Sequence, residues 1–117
     1  MTAVHEFSIC RSLVRQVEEE ALRHDARAVT SIVVSLGPLS GIHAEELRTA
    51  FPLVSAGSIA ESARLQIHQQ PLRWRCQACG VEDESDAAVE VCSACGSDGL
   101  QLLSGDRIVL EHMEVSR

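Results

Sequence analysis

The chain has 117 residues, and its ten basic residues, all Arg, face seventeen acidic ones, for a formal net charge of −7 and a pI near 5.1. That balance argues against binding a phosphate backbone, which needs a positive face. No apolar run approaches the roughly 18 to 20 residues of a membrane span, and the N-terminus lacks a basic region followed by an apolar stretch, so the expected protein is cytoplasmic, with one modest core.

In chain order, the stretch from about Glu6 to His24 places Cys10, Leu13, Val14, Val17, Ala21 and Leu22 at helical spacing, which predicts an amphipathic first helix. Ala28 to Leu36 is rich in β-branched residues and stops at Gly37-Pro38, the pattern of a strand. A second helix is predicted from about Ala44 to Ser55, with Leu47, Ala50, Phe51 and Val54 on one stripe. Pro52 lacks an N–H and presses on the carbonyl of Arg48, so a kink or an early end is expected there. Ala63 to Gln70 and Arg107 to Val115 read as two further strands. The predicted class is α+β: two helices packed on a small antiparallel sheet, with an inserted metal lobe between the last two strands.

That lobe carries the clearest chemical signal. Cys76-Gln77-Ala78-Cys79-Gly80 and Cys92-Ser93-Ala94-Cys95-Gly96 are matching knuckles separated by twelve residues. Two thiolate pairs of this spacing supply the four sulfurs that Zn²⁺ takes in closed structural sites. The glycines permit the positive φ that curls the chain under the metal. No Arg lies between Cys76 and Cys95, while Glu82, Asp83, Glu84, Asp86 and Glu90 do, so the lobe repels nucleic acid. The same knuckles could hold iron in a rubredoxin-like carrier, which would be red where a zinc protein is colourless. Domain boundaries are expected at 1–70 with 104–117 for the α/β part, and 71–103 for the zinc lobe.

Other reactive residues have simpler readings. Cys10 falls on the apolar stripe of the first helix and reads as a small buried hydrophobe. His24 suits the negative end of that helix. His68 and His112 alternate away from apolar positions and read as solvated, and Trp74 is expected to pack where the lobe meets the sheet. No nucleophile-and-base constellation or phosphate-cradling loop is present, so the chain is not expected to be an enzyme. His5-Glu6, by contrast, opens the first helix with an imidazole and a carboxylate beside accessible backbone nitrogens. Ni²⁺ favours such nitrogen ligands, although an exposed His near a terminus usually binds nothing.

Taken together, His5-Glu6-Phe7-Ser8-Ile9-Cys10, Ser12-Leu13, the stretch Val33 to Gly41, Ala50-Phe51, Gly57, Ala63, Leu65 and the doubled knuckle resemble the HypA/HybF family of nickel metallochaperones, over nearly the whole chain. The resemblance implies a small protein with a nickel-binding α/β domain and a separate zinc lobe. It implies delivery of Ni²⁺ to the large-subunit precursor of [NiFe]-hydrogenase with a partner maturation GTPase, and in some members service to urease. No catalysis, nucleic acid or membrane is implied, and the chain would be a monomer or homodimer. The family's zinc ligands correspond to Cys76, Cys79, Cys92 and Cys95, and its nickel histidine to His5, with Glu6 adjoining. The alternative is a zinc-ribbon interaction scaffold or nucleic-acid module that carries no nickel.

In one respect the chain departs from the pattern. Met1-Thr2-Ala3-Val4 precedes His5, where the family has the initiator Met alone. The extra residues enlarge the chelate that the terminal amine and the imidazole must close. A start at Val4 would restore Met-His-Glu. Otherwise nickel needs a second side chain, for which His43, at the start of the second helix, is the candidate.

Overall fold

The computed structural model describes residues 2–117, with side chains described from Glu6 onward. Helix α1 spans Thr2–Arg23, strand β1 Ala28–Leu36 and helix α2 Ala44–Ser55. Strand β2 follows at Arg64–Gln69, then β3 at Leu72–Cys76, β4 at Glu82–Ser85, β5 at Leu100–Ser104 and β6 at Ile108–Ser116. They form two three-stranded sheets, ordered β2-β1-β6 and β4-β3-β5.

The first sheet and both helices share one core. Cys10, Leu13, Val14, Val17 and Ala21 of α1 pack with Val29, Ile32, Val34 and Leu36 of β1 and with Leu47, Ala50 and Phe51 of α2. Leu22, expected on the stripe of α1, is 71% exposed, and Ala21 holds the buried position of that turn. Immediately afterwards α1 ends in a Schellman turn. The Ala26 N–H donates to the Ala21 carbonyl and the Asp25 N–H to that of Leu22, with Asp25 in the left-handed region at φ 53°.

Two expectations are revised. The first sheet is mixed rather than antiparallel throughout: β1 runs antiparallel to β6 but parallel to β2. α2 is the crossover between β1 and β2, and a crossover returns the chain in the same direction, whereas a hairpin reverses it. Nor does Pro52 end α2, which continues to Ser55. Pro52 lies on the exposed side of α2 and near its end, where water can take the freed carbonyl of Arg48, so the cost of the missing bond stays local.

The second sheet lies wholly between β2 and β6, so the lobe is inserted where the sequence places it. Leu72, Trp74 and Cys76 of β3 point inward and are buried, while Arg73 and Arg75 alternate outward. Across the sheet Arg75 reaches Glu82 at 3.1 Å, and Arg73 reaches Glu82 at 3.3 Å and Glu84 at 3.7 Å. This pairing explains how the acidic run Glu82-Asp83-Glu84 forms a strand despite its poor β preference. Trp74 packs against Cys76, Cys92 and Leu100, inside the lobe rather than at its junction with the other sheet.

The junction is made of backbone. The Leu39 N–H donates to the Gly105 carbonyl at 2.9 Å, and the Gln70 N–H to that of Leu36 at 2.8 Å. A Cβ on Gly37 would lie 2.1 Å from the Gly105 oxygen, and one on Gly105, whose φ is +107°, would meet Leu72 at 2.8 Å. Gly37→Ala is therefore expected to cost at least about 3 kcal/mol, the upper end of overpacking penalties. Urea unfolding followed by far-ultraviolet circular dichroism measures this; an unchanged midpoint would contradict the contact.

Candidate metal centre

The two knuckles are near copies in three dimensions. In each, the first cysteine begins a tight turn closed by a glycine. The Gly80 N–H donates to the Cys76 carbonyl and the Gly96 N–H to the Cys92 carbonyl, both at 2.8 Å. Gly80 at φ 79° and Gly96 at φ 76° occupy the left-handed region that the turn requires. Cys76 N–H is tied to the Val81 carbonyl and Cys92 N–H to that of Ser97, which secures the base of each loop. Backbone N–H groups also face sulfur: Cys79 N lies 3.5 Å from Cys76 Sγ and Ala94 N 3.4 Å from Cys92 Sγ.

The loops face one another. Cys76 Sγ is 3.6 Å from Cys95 Sγ and Cys79 Sγ is 3.8 Å from Cys92 Sγ, and all four sulfurs lie within 4.8 Å of one another. A tetrahedron with zinc–sulfur bonds of about 2.3 Å has edges of about 3.8 Å. The cross-knuckle distances match that figure, so the sulfurs are spaced for a small tetrahedral ion and the donor set fits Zn²⁺. No bridging disulfide is present among these cysteines. Cys76 and Cys92 are buried, whereas Cys79 and Cys95 lie on the exposed side.

Electrostatics favour thiolate at one end of the cluster. The Cys79 N–H donating to its sulfur pulls the Cys76 thiol down to about 6, while Cys95 is pushed up to about 12 among its neighbouring sulfurs. A cation is what lets all four ionise together, so zinc uptake releases protons and strengthens as pH rises. Cys10 behaves differently. Burial alone pushes its thiol up to about 11, and its side chain is fully enclosed in the helical core, as expected of a packing residue.

The remaining sequence candidates are separated from this cluster. His5 falls in α1, but its side chain lies outside the described residues. Glu6 is half-buried. His43 is exposed at the start of α2, and its backbone N–H donates to Glu46 Oε1 at 2.9 Å. Sequence reasoning passed over Glu46, although its place three residues after the residue preceding a helix is a capping signal. It also left the lobe's sheet unassigned. His24, His68 and His112 are exposed, and among the described residues only the four cysteines bring three or more metal-ligating side chains together.

Removing the metal with a chelator is expected to loosen the lobe and shift Trp74 emission to the red, since Trp74 is the chain's single Trp and packs on the ligands. Helical circular dichroism should persist. Cys92→Ala should lose zinc by metal analysis; a full complement retained would refute four-sulfur ligation.

Comparison with known proteins places this geometry in a family. The model of the family described as "Hydrogenase/urease nickel incorporation, metallochaperone, hypA" matches residues 4–115. The hydrogenase maturation factor HypA of Nitrosospira multiformis is 40% identical over 112 residues, covering 96% of this chain and 97% of that protein. That of Aquifex aeolicus is 38% identical with the same coverage. In structure, the chain resembles the nickel metallochaperone HypA from Helicobacter pylori at a TM-score of 0.76 and 25% identity, over 95% of this chain and 97% of that one. With a family match across nearly its whole length and four sulfurs spaced for a structural ion, this chain belongs to the HypA family of hydrogenase-maturation nickel metallochaperones.

Proposed function

We propose that the chain carries Ni(II) to the large-subunit precursor of a [NiFe]-hydrogenase, working in the cytoplasm with a maturation GTPase, and that its two metals have separate homes. Cys76, Cys79, Cys92 and Cys95 hold Zn(II) for structure, and His5, with Glu6 beside it, holds nickel in transit. The observation that carries this reading is the closure of the sulfur cluster, whose four donors leave no position for a second ion or an acceptor. Cargo that must leave needs a different site.

The start of α1 suits that need. An ion held by one imidazole and backbone nitrogens near a chain end can exchange ligands stepwise with an acceptor. Delivery is then ligand exchange with no covalent step, so no enzymatic role is assigned. The arrangement of sheets supports a nickel-carrying part at 1–70 with 104–117 and a zinc lobe at 71–103, since β1, β2 and β6 belong to one sheet and β3 to β5 to the other. The lobe then serves as a docking surface toward the protein partners. The urease system is the other acceptor class that the family's description names, and a monomer or a homodimer can perform this transfer.

His5→Ala is the test. Calorimetric titration should show nickel binding lost while zinc content stays whole. Undiminished nickel stoichiometry in this variant would overturn the assignment.

A further inference from the structure

The groove between the two helices and the long loop of the zinc lobe are complementary in chemistry. On the outer side of α1 and α2, Phe7, Val14, Leu53 and Val54 line a groove of about 490 Å³, bordered by Arg11 and Arg15. Leu53 is 65% exposed, so the groove presents apolar surface to solvent. Neither arginine makes an ion pair among the described residues. On a chain of net charge −7, an unpaired basic pair beside an apolar floor selects an acidic segment that also carries apolar side chains.

A segment of that chemistry belongs to the chain itself. Between β4 and the second knuckle, Asp86-Ala87-Ala88-Val89-Glu90-Val91 runs in irregular conformation with all six residues exposed. Arg73 and Arg75 take up Glu82 and Glu84, whereas Asp86 and Glu90 make no ion pair among the described residues. Two valines thus stand free beside two unpaired carboxylates, the counterparts of the groove's apolar floor and its two guanidinium groups. Glu18 also lines the groove, and its charge turns an incoming carboxylate toward the arginines. Within one chain no lobe residue lines the groove, so a lobe segment that seats there comes from a second copy.

We propose that the chain forms a two-fold homodimer in which the 86–91 segment of each copy seats in the α1–α2 groove of the other. Two contacts of the same kind close the pair and leave neither a groove nor a segment open to a third copy. Burial of the valines supplies the attraction, while the charges steer the approach and make it sensitive to salt.

Sedimentation velocity on the zinc-loaded full chain tests this. A concentration-dependent dimer is expected, with a dissociation constant that rises as sodium chloride is added. Arg11→Glu combined with Arg15→Glu, and separately Asp86→Arg combined with Glu90→Arg, should each raise that constant about tenfold or more, since like charges then meet in both contacts. All four side chains are exposed, so zinc content and circular dichroism should stay as in the wild type. An equimolar mixture of the two double variants should dimerise again, because both contacts then join opposite charges. A wild-type chain that stays monomeric into the millimolar range, variants that dimerise as the wild type does, or a mixture that fails to recover would each overturn the proposal.

Discussion

Convergence of four sulfurs from two facing loops is the constraint on which the lobe depends. The segment around them has little else to hold it: Trp74, Leu100 and the ligands themselves make its small cluster, and β4 is a run of acids. A cluster of that size offsets only a fraction of the backbone entropy lost in ordering three strands. An ion that ties Cys76 and Cys79 to Cys92 and Cys95 closes a loop across β4 and its flanking turns, and ligand binding becomes folding free energy. The two arginines of β3 then serve a local purpose, since they neutralise the acids that would otherwise repel both one another and the charged metal cluster.

From that clamp the consequences run toward the other sheet. The lobe leaves the α/β part after β2 and returns before β6, and β1 lies between those two strands. The return passes Gly105, pressed against Gly37 without room for a side chain on either. Backbone contacts of this kind transmit position more rigidly than long side chains would. The turn that begins at Gly37 leads directly into α2, whose first turn is capped by Glu46 accepting the His43 N–H. Placement of the zinc lobe and of the start of α2 are therefore linked through a short stretch of chain.

Much of this was legible before the fold was known, because local periodicity and ligand spacing are written into adjacent residues. Both helices, the three strands of the first sheet and the four cysteines of the cluster could be read that way. What escaped depends on long-range placement. Parallel pairing of β1 with β2 follows from α2 acting as a crossover, a property of connection rather than of either strand. The strand at Glu82–Ser85 has the composition of a loop and exists because Arg73 and Arg75 face it. Trp74 sits two residues before a ligand, and alternation along β3 turns it to the same side as Cys76. Glu46 is different, since its capping of the His43 N–H three residues earlier is a local signal that reading for periodicity passes over.

The central claim is that the two ions occupy chemically distinct sites at once, sulfur for the one that stays and nitrogen with oxygen for the one that is passed on. X-ray absorption at the zinc and nickel edges of a single sample loaded with both metals tests this most directly. The account predicts four sulfur neighbours around zinc and only nitrogen and oxygen neighbours around nickel. Sulfur bonded to nickel, with zinc correspondingly displaced, would contradict it.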